Sequence, residues 1–221
     1  PVMNAEHNEL GSINVFESAK RAGVKAIVFA SSCAVYGIPN SSPVSEDVTP
    51  VPQTPYGISK RSAELYLTAY GLRTNMNVVS LRFANVYGPR QAGNAESGAI
   101  AIFTEKLLAG QSPFLNNDGQ TKRDYVYVGD VVQALVGSAN SNQSGIWNVG
   151  TGLETSTQDL FTLIQKTIGT PIEFTPAPEA VDAVKKIALA TDSINTAIGW
   201  QAKVKLEEGI IKTINWYQNR I

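Results

Sequence analysis

Tyr56 and Lys60 are two residues in this chain whose types and spacing could perform acid–base chemistry. A separation of four residues places both side chains on one face of a helix, one turn apart. A phenol with a pKa of about 10 is a poor base at neutral pH, and a nearby ammonium group would lower that pKa by favouring the phenolate. Such a pair suits removal of a proton from a hydroxyl group whose carbon gives up a hydride.

Two serines occupy a suitable place ahead of this pair. The apolar run over 26–30 predicts a buried strand, and Ser31 and Ser32 follow directly. Ligands of open α/β sheets bind beyond the carboxyl ends of the strands, so a serine hydroxyl there could share the substrate proton. Tyr-x-x-x-Lys alone occurs by chance in many helices, and two serines after a strand are usually only loop. The two motifs in this order are together far more specific for a catalytic site than either motif alone.

The remaining apolar periodicity predicts the elements that would position these groups. Helices and strands alternate in the prediction, which indicates the α/β class. The predicted helices cover 4–22, 55–71, 100–108, 130–139, 156–168 and 206–217; the predicted strands cover 26–30, 78–82, 113–115 and 171–174; and a polar loop is predicted over 91–97.

The composition excludes several functional classes. The 221 residues are 43% hydrophobic and 17% charged with a net charge of −1, and they contain no Lys/Arg cluster, which argues against nucleic-acid binding. A single cysteine, Cys33, and a single histidine, His7, argue against a metal site and fit a reducing cytoplasm. No apolar run approaches the roughly 20 residues that span a bilayer.

Several longer motifs carry a resemblance to a known family. The chain resembles the extended short-chain dehydrogenases/reductases, in particular the NAD-dependent nucleotide-sugar epimerases of the UDP-hexose 4-epimerase type. The match covers nearly the whole chain. The motifs that carry it include SSCAVYG (31–37), PYGISK (55–60), LRFANVYGP (81–89) and RDYVYV (123–128).

This resemblance implies a fold and a catalytic triad. The fold would be a partial Rossmann-type doubly wound parallel sheet with a smaller α/β substrate-binding portion. Residues 1–87 would belong to the NAD-binding domain and 88–221 mainly to the substrate portion, with an approximate boundary. The triad would be Ser32, Tyr56 and Lys60.

The resemblance also implies binding residues for NAD. Asn8, Ser31 and Phe83 would contact the cofactor together with Tyr56 and Lys60. An exposed helical asparagine without a role is an equally open interpretation of Asn8.

A nucleotide-diphosphate sugar would be the substrate. Besides Ser32, its contacts would be Asn85 to the phosphates, Arg123 as a clamp on the diphosphate and Phe114 beside the base. A guanidinium fork suits a diphosphate because it donates two parallel hydrogen bonds. Asn85 as a turn-former and Phe114 as a core residue are the alternatives. The resemblance further implies a homodimer through the helices near 4–22 and 55–71.

Two departures from the family pattern qualify these expectations. No Gly-x-x-Gly-x-x-Gly loop for the dinucleotide phosphates is present, and we expect a fragment or truncated product that is inactive alone. The family's second clamp arginine has no counterpart over 178–182, and Lys185 or Lys186 would offer only a point charge.

Single positions distinguish other activities of the same fold. A 4,6-dehydratase would need an Asp-Glu pair where Cys33 and Ala34 stand, and a sugar decarboxylase would need Glu at Ala34. An epimerase or a ketoreductase remains. The alternative from another class is a non-catalytic remnant or assembly module. The acidic loop residues Glu46 and Asp47 are interpreted as solvated.

Overall fold

The computed structural model describes residues 1–92, 98–178 and 184–219. The helices there are α1 (Val2–Asn4, Ala5–Leu10 and Gly11–Arg21 in succession, π-helical in the middle part), α2 (Pro55–Arg73), α3 (Ala99–Leu108), α4 (Val128–Ala139), α5 (Thr157–Ile168), α6 (Asp192–Ile198) and α7 (Leu206–Gln218). The strands are β1 (Ala26–Ser32), β2 (Asn77–Phe83), β3 (Asn85–Tyr87), β4 (Phe114–Asn116), β5 (Lys122–Arg123), β6 (Tyr125–Tyr127), β7 (Gly145–Val149), β8 (Thr155–Ser156), β9 (Thr175–Ala177) and β10 (Lys186–Ile187).

A parallel sheet in the order β1-β2-β7 carries the serine motif. Its central strand β2 is buried over five consecutive residues, as expected for a parallel strand covered on both faces. Ser32 of β1 pairs with Phe83 of β2, which pairs with Val149 of β7. The carboxyl ends of the three strands therefore meet at one edge, where the sequence places its candidate site.

Three smaller sheets lie beyond this edge. They pair β5 with β10 and β8, β3 with β6, and β4 with β9. β7 comes late in the chain but returns to the first sheet beside β2, so the two portions predicted at 1–87 and 88–221 are interwoven. The boundary between them stays a prediction.

Two hydrophobic clusters divide most of the core. One surrounds the β1-β2-β7 sheet and includes Leu81 and Trp147, while the other joins α3, α5 and α7 through residues such as Phe161 and Ile214. A third, smaller cluster around Phe16 packs α1 against α2 and β2. None of the helices in the described ranges is both long and apolar enough to span a bilayer.

The strand predicted over 171–174 is wrong, because these residues form no ladder. The carbonyl of Ile172 accepts a hydrogen bond from Gln165 Nε2 at 2.8 Å, and that of Glu173 accepts one from Ser112 Oγ at 2.6 Å. Side chains thus satisfy the backbone there, and the ladder with β4 begins only at Thr175. The short helix α6 was not predicted. Residues 93–97 of the predicted loop and 179–183 lie outside the described residues.

Candidate active site

A cavity of about 770 Å³ opens at the carboxyl ends of β1 and β2. The start of α1 and the start of α2 form its other walls. Six of the residues predicted for the site line it, namely Asn8, Ser31, Ser32, Tyr56, Phe83 and Asn85.

The chain turns sharply after Ser32, which keeps its hydroxyl at the strand end. Residues Cys33–Tyr36 form a 3₁₀ turn, and Ser32 Oγ accepts a hydrogen bond from Ala34 N at 3.1 Å. Burial raises the pKa of the Cys33 thiol to about 11, so this side chain stays neutral beside the serine. A neutral thiol does not provide the carboxylic acid that elimination chemistry needs at this position.

The first turn of α2 is held close to that 3₁₀ turn. Thr54 caps the helix by accepting a hydrogen bond from Gly57 N at 3.0 Å, and Pro55 fits its first turn. A Cβ on Gly57 would lie 2.5 Å from Ala34 O, so only glycine permits this approach. Tyr56, the neighbour of Gly57, is thereby brought to Ser32.

Tyr56 and Ser32 lie together in the cavity. Burial raises the pKa of the Tyr56 phenol, while a hydrogen bond from the Ser32 hydroxyl acts in the opposite direction. The raised pKa differs from the expectation that Lys60 would lower it. The reason is that Lys60 Nζ lies 5.8 Å from the Tyr56 ring centre and donates to Ala30 O at 2.9 Å.

Lys60 is partly buried between two aromatic rings. Its Nζ lies 5.0 Å from the centre of the Phe29 ring, an arrangement that attracts a cation. Burial lowers the pKa of the Lys60 ammonium. The residue does not line the cavity but supports its wall from the next turn of α2.

A buried ion pair lies one turn further along α2, and the sequence analysis missed it. Glu64 is fully buried, and its carboxylate accepts two hydrogen bonds from Arg82, from Nε at 2.9 Å and from Nη2 at 2.8 Å. Ser31 Oγ donates to the same carboxylate at 2.5 Å, and Arg61 Nη1 does so at 2.9 Å. Burial by itself would raise the pKa of Glu64, but the hydrogen bonds and charge of Arg82, with Ser31 and Arg61, hold it below its usual value.

Arg82 also connects the pair to the opposite edge of the sheet. Its Nη1 donates to Tyr36 OH at 3.0 Å, and that hydroxyl donates to Asn148 Oδ1 on β7 at 2.8 Å. Ser31 therefore places its hydroxyl in this polar network, although it also lines the cavity as a predicted cofactor contact.

The interpretation of Glu46 as a solvated acid is wrong. Its Oε1 accepts a hydrogen bond from Asn148 N at 2.6 Å, and its Oε2 accepts one from Ser193 Oγ at 3.0 Å. Glu46 thus ties the loop after the serine motif to the edge strand β7 and to α6.

Asn8 and Asn85 both line the cavity. Asn8 lies in the π-helical part of α1, where Asn8 Nδ2 donates to Asn4 Oδ1 at 3.2 Å. Asn85 starts β3, where its backbone N–H donates to Asp124 O at 2.9 Å. Its role is therefore not that of a turn-former.

Phe114 and Arg123 are not among the residues lining the cavity. Phe114 is 65% exposed on β4, so the alternative of a core residue is wrong. Arg123 is half-buried near the Cys33 thiol, and burial lowers its pKa. Within the described ranges no carboxylate lies within ion-pair distance of its guanidinium.

The counterpart of the family's second clamp arginine stays a prediction. Residues 179–182 of the segment compared with the family's arginine lie outside the described residues. Lys185 and Lys186 are exposed.

Comparison with protein families gives one match that covers most of the chain. The model of the "NAD dependent epimerase/dehydratase family" matches residues 1–150. Among curated relatives, the UDP-glucose 4-epimerase of Mycolicibacterium smegmatis is 40% identical over 224 aligned residues, which cover 100% of this chain and 71% of the relative. A putative UDP-glucose 4-epimerase of Methanocaldococcus jannaschii is also 40% identical, over 99% of this chain and 72% of its own length.

Solved structures show the same fold. The UDP-glucose 4-epimerase of Thermotoga maritima, solved with UDP-glucose, is 36% identical with a TM-score of 0.96, over 100% of this chain and 72% of that structure. The UDP-glucose 4-epimerase of Thermus thermophilus, solved with NAD, is 37% identical with a TM-score of 0.91, over 98% of this chain and 71% of that structure. These similarities confirm the predicted Rossmann-type α/β fold. The chain belongs to the NAD dependent epimerase/dehydratase family.

Proposed function

We propose that this chain carries the acid–base groups and part of the substrate site of an NAD-dependent UDP-hexose 4-epimerase. The observation that carries the proposal is the meeting of Ser32 and Tyr56 in one cavity at the strand ends, with Lys60 one turn behind. Relatives that are named UDP-glucose 4-epimerases, one solved with UDP-glucose and another with NAD, support it.

The residues present fit the reactive end of the cofactor. NAD, when bound, supplies the hydride acceptor and donor for the sugar carbon. Tyr56 and Asn8 offer hydroxyl and amide groups at the cavity that suit a ribose and a nicotinamide, and Phe83 offers an apolar wall. Lys60 offers its ammonium group from the next turn of α2. The glycine pattern that would cradle the pyrophosphate does not occur in these 221 residues.

Tyr56 and Ser32 would move the proton of the sugar hydroxyl. The hydroxyl of Ser32 lowers the pKa of Tyr56, so it suits stabilisation of a phenolate there. Because burial raises the pKa of the phenol, Tyr56 needs the contribution of Ser32, which lowers that pKa, to act as a base. In the reverse step the same phenol returns the proton to the sugar oxygen.

Arg123 and Asn85 would hold the nucleotide part of the substrate. Arg123 is a half-buried cation without an ion-pair partner among the described residues, which suits an anionic ligand. Asn85 faces the same cavity as Tyr56. Phe114, exposed on β4, is free to cover a base.

We further propose that two copies associate through α1 and α2. These helices pack side by side, with Ser62 Oγ donating to Glu9 Oε1 at 2.6 Å. Both leave large apolar side chains exposed, which is typical of an interaction surface. The exposed apolar residues are Val2, Met3, Leu10 and Val15 on α1, and Ile58, Leu65, Tyr66 and Leu72 on α2.

The test is conversion of UDP-glucose to UDP-galactose in the presence of NAD, with calorimetric titration of each ligand. We expect Tyr56→Phe to reduce turnover by at least about 100-fold, because it removes the proton-transfer group. Tyr66→Phe, on the same helix, is the matched control and should retain the parent rate. Equal rates for the two variants would refute the assignment of Tyr56.

The same titrations separate the alternatives. We expect residues 1–221 alone to bind UDP-glucose but to convert it slowly. The reason is that the phosphate-binding glycine pattern is absent from them. Saturable UDP-glucose binding with no turnover, even at high NAD, would favour the non-catalytic binding module. Tight NAD binding with turnover would refute the expected impairment.

A further inference from the structure

Three successive residues of β1 each meet a residue of α2, and these helix residues are spaced by four. The Ala30 carbonyl accepts from Lys60 Nζ at 2.9 Å, and Ser31 Oγ donates to Glu64 Oε1 at 2.5 Å. Ser32 lies beside Tyr56 in the cavity, where its hydroxyl lowers the pKa of the phenol. Tyr56, Lys60 and Glu64 therefore form one stripe along the helix that faces the end of the strand.

Glu64 differs from the other two because it also holds the neighbouring strand. Ser31 and Arg82 are directly paired in the β1–β2 register, and both donate to the Glu64 carboxylate. A bidentate contact from a guanidinium fixes direction as well as distance. The carboxylate thus sets the position of α2 relative to two strands at once.

We propose that Glu64 is a positioning residue, which acts through Ser31 and Arg82 to hold Tyr56 beside Ser32 and Lys60 on the Ala30 carbonyl. The proposal rests on the proposed function, because it assigns to Glu64 the alignment of the groups that would move the proton.

Stability alone is a poor explanation for this arrangement. The free energy needed to remove two charges from water offsets much of the free energy gained from their attraction. Proteins in which apolar residues replace a buried ion pair are often as stable as the parent. The pair instead provides directed hydrogen bonds at the place where α2 must be aligned. Its four donors on Glu64, from Ser31, Arg61 and twice from Arg82, leave the carboxylate little freedom to turn.

The decisive measurement is the ionisation of Tyr56, followed by NMR on the chain with ¹³C-labelled tyrosine. The Tyr56 signal is assigned by its loss in Tyr56→Phe. In the parent, Ser32→Ala should raise the pKa of Tyr56, because it removes the hydrogen bond that lowers it. In the Glu64→Gln background we expect Ser32→Ala to change that pKa by less than half as much.

An equal effect of Ser32→Ala with and without Glu64→Gln would overturn the proposal, and so would no effect in the parent. If Glu64→Gln does not fold, Ser31→Ala replaces it in the same cycle, since it removes only the tie to β1 and keeps the Glu64–Arg82 pair. If Ser32→Ala then changes the pKa of Tyr56 equally with and without Ser31→Ala, the proposal is overturned.

Steady-state kinetics test the role of Glu64 a second time, with a matched control variant. We expect Glu64→Gln to lower kcat for UDP-glucose by about 10- to 100-fold with little change in KM, as a misplaced catalytic group does. Asp130→Asn also neutralises a buried carboxylate, which accepts the Lys203 and Val204 N–H groups at 3.0 and 2.9 Å, and it should change Tm but not kcat. Equal kcat for Glu64→Gln and the parent would overturn the proposal. Absence of turnover in the parent itself would refute the proposed function, while the ionisation experiment would still decide the role of Glu64.

Discussion

Replacing Gly57 by alanine tests whether the catalytic geometry depends on the close approach of α2 to the serine turn. The added Cβ would lie 2.5 Å from Ala34 O, 3.1 Å from Ala34 C and 3.2 Å from Pro52 Cβ. The nearest atoms belong to the backbone of the turn that follows Ser32, so they cannot rotate away. Ordinary contact begins at 3.4 Å, which requires a separation of about 1 Å between the helix start and the turn.

The expected effect on stability is modest because two contributions oppose each other. Alanine improves helix propensity by no more than about 1 kcal/mol, while overpacking costs about 1 to 3 kcal/mol. We therefore expect a net loss of about 1 kcal/mol and a fall in Tm of roughly 2 to 4 °C for a chain of this length. The effect on catalysis is larger, since a displacement of about 1 Å in Tyr56 relative to Ser32 can lower kcat by roughly 10- to 100-fold.

The assay combines kcat for UDP-glucose epimerisation with thermal unfolding. Gly137→Ala in α4 is the control, because its Cβ would meet only the terminal methyl of Ile198 at 3.2 Å, which can move. We expect Gly137→Ala to retain the parent kcat. If Gly57→Ala also retains it, within about twofold, the reasoning that this approach aligns Tyr56 fails.

Three other outcomes follow from charges and surfaces. The lowered pKa of Glu64 stabilises the fold above the ordinary carboxyl pKa of 4.5, and this stability is lost as pH falls through the lower folded-state value. In urea titrations Glu64→Gln should therefore lose less stability than the parent between neutral pH and the acid range; parallel losses would contradict this. Arg123→Lys should weaken UDP-glucose binding by about tenfold in calorimetry because it loses the guanidinium fork, whereas Lys122→Arg should not, and equal affinities would exclude the clamp role. Leu65→Asp should convert the proposed dimer to a monomer in light scattering, and an unchanged mass would reject the α1–α2 interface.

The catalytic candidates were predictable because local spacing carries their signal. Ser32 directly follows an apolar run, and Tyr56 and Lys60 are separated by one helical turn. Both patterns depend only on the period of a strand or helix, so the sequence indicated where these groups lie without knowledge of tertiary contacts. The choice of Ser32 rather than Ser31 for the triad came from the resemblance to the family. The same logic placed most helices and the strands β1, β2 and β4.

Predictions that depended on tertiary surroundings were less reliable. The apolar residues Ile172 and Phe174 suggested a strand, but they pack against the second cluster while side chains occupy the neighbouring carbonyls. Glu46 was judged by its loop composition, which gives no indication that Asn148 and Ser193 come to it from distant parts of the chain. The pKa of Tyr56 was judged from Lys60 alone, whereas burial has the larger effect.

Glu64 is the instructive case, because part of its signal was present in the sequence. Arg82 interrupts the apolar strand β2, and a charge buried in the middle of a sheet requires a partner. Glu64 is the acid on the helix of Tyr56 and Lys60, and it continues their spacing of four. Reading those two facts together would have predicted the ion pair from the cost of an unpaired charge. The contribution of Ser31 could not have been found in this way, because a serine hydroxyl after a strand does not require one particular hydrogen-bond partner. The structure supplies that step, and with it the reason why an ion pair in the sheet bears on the position of Tyr56.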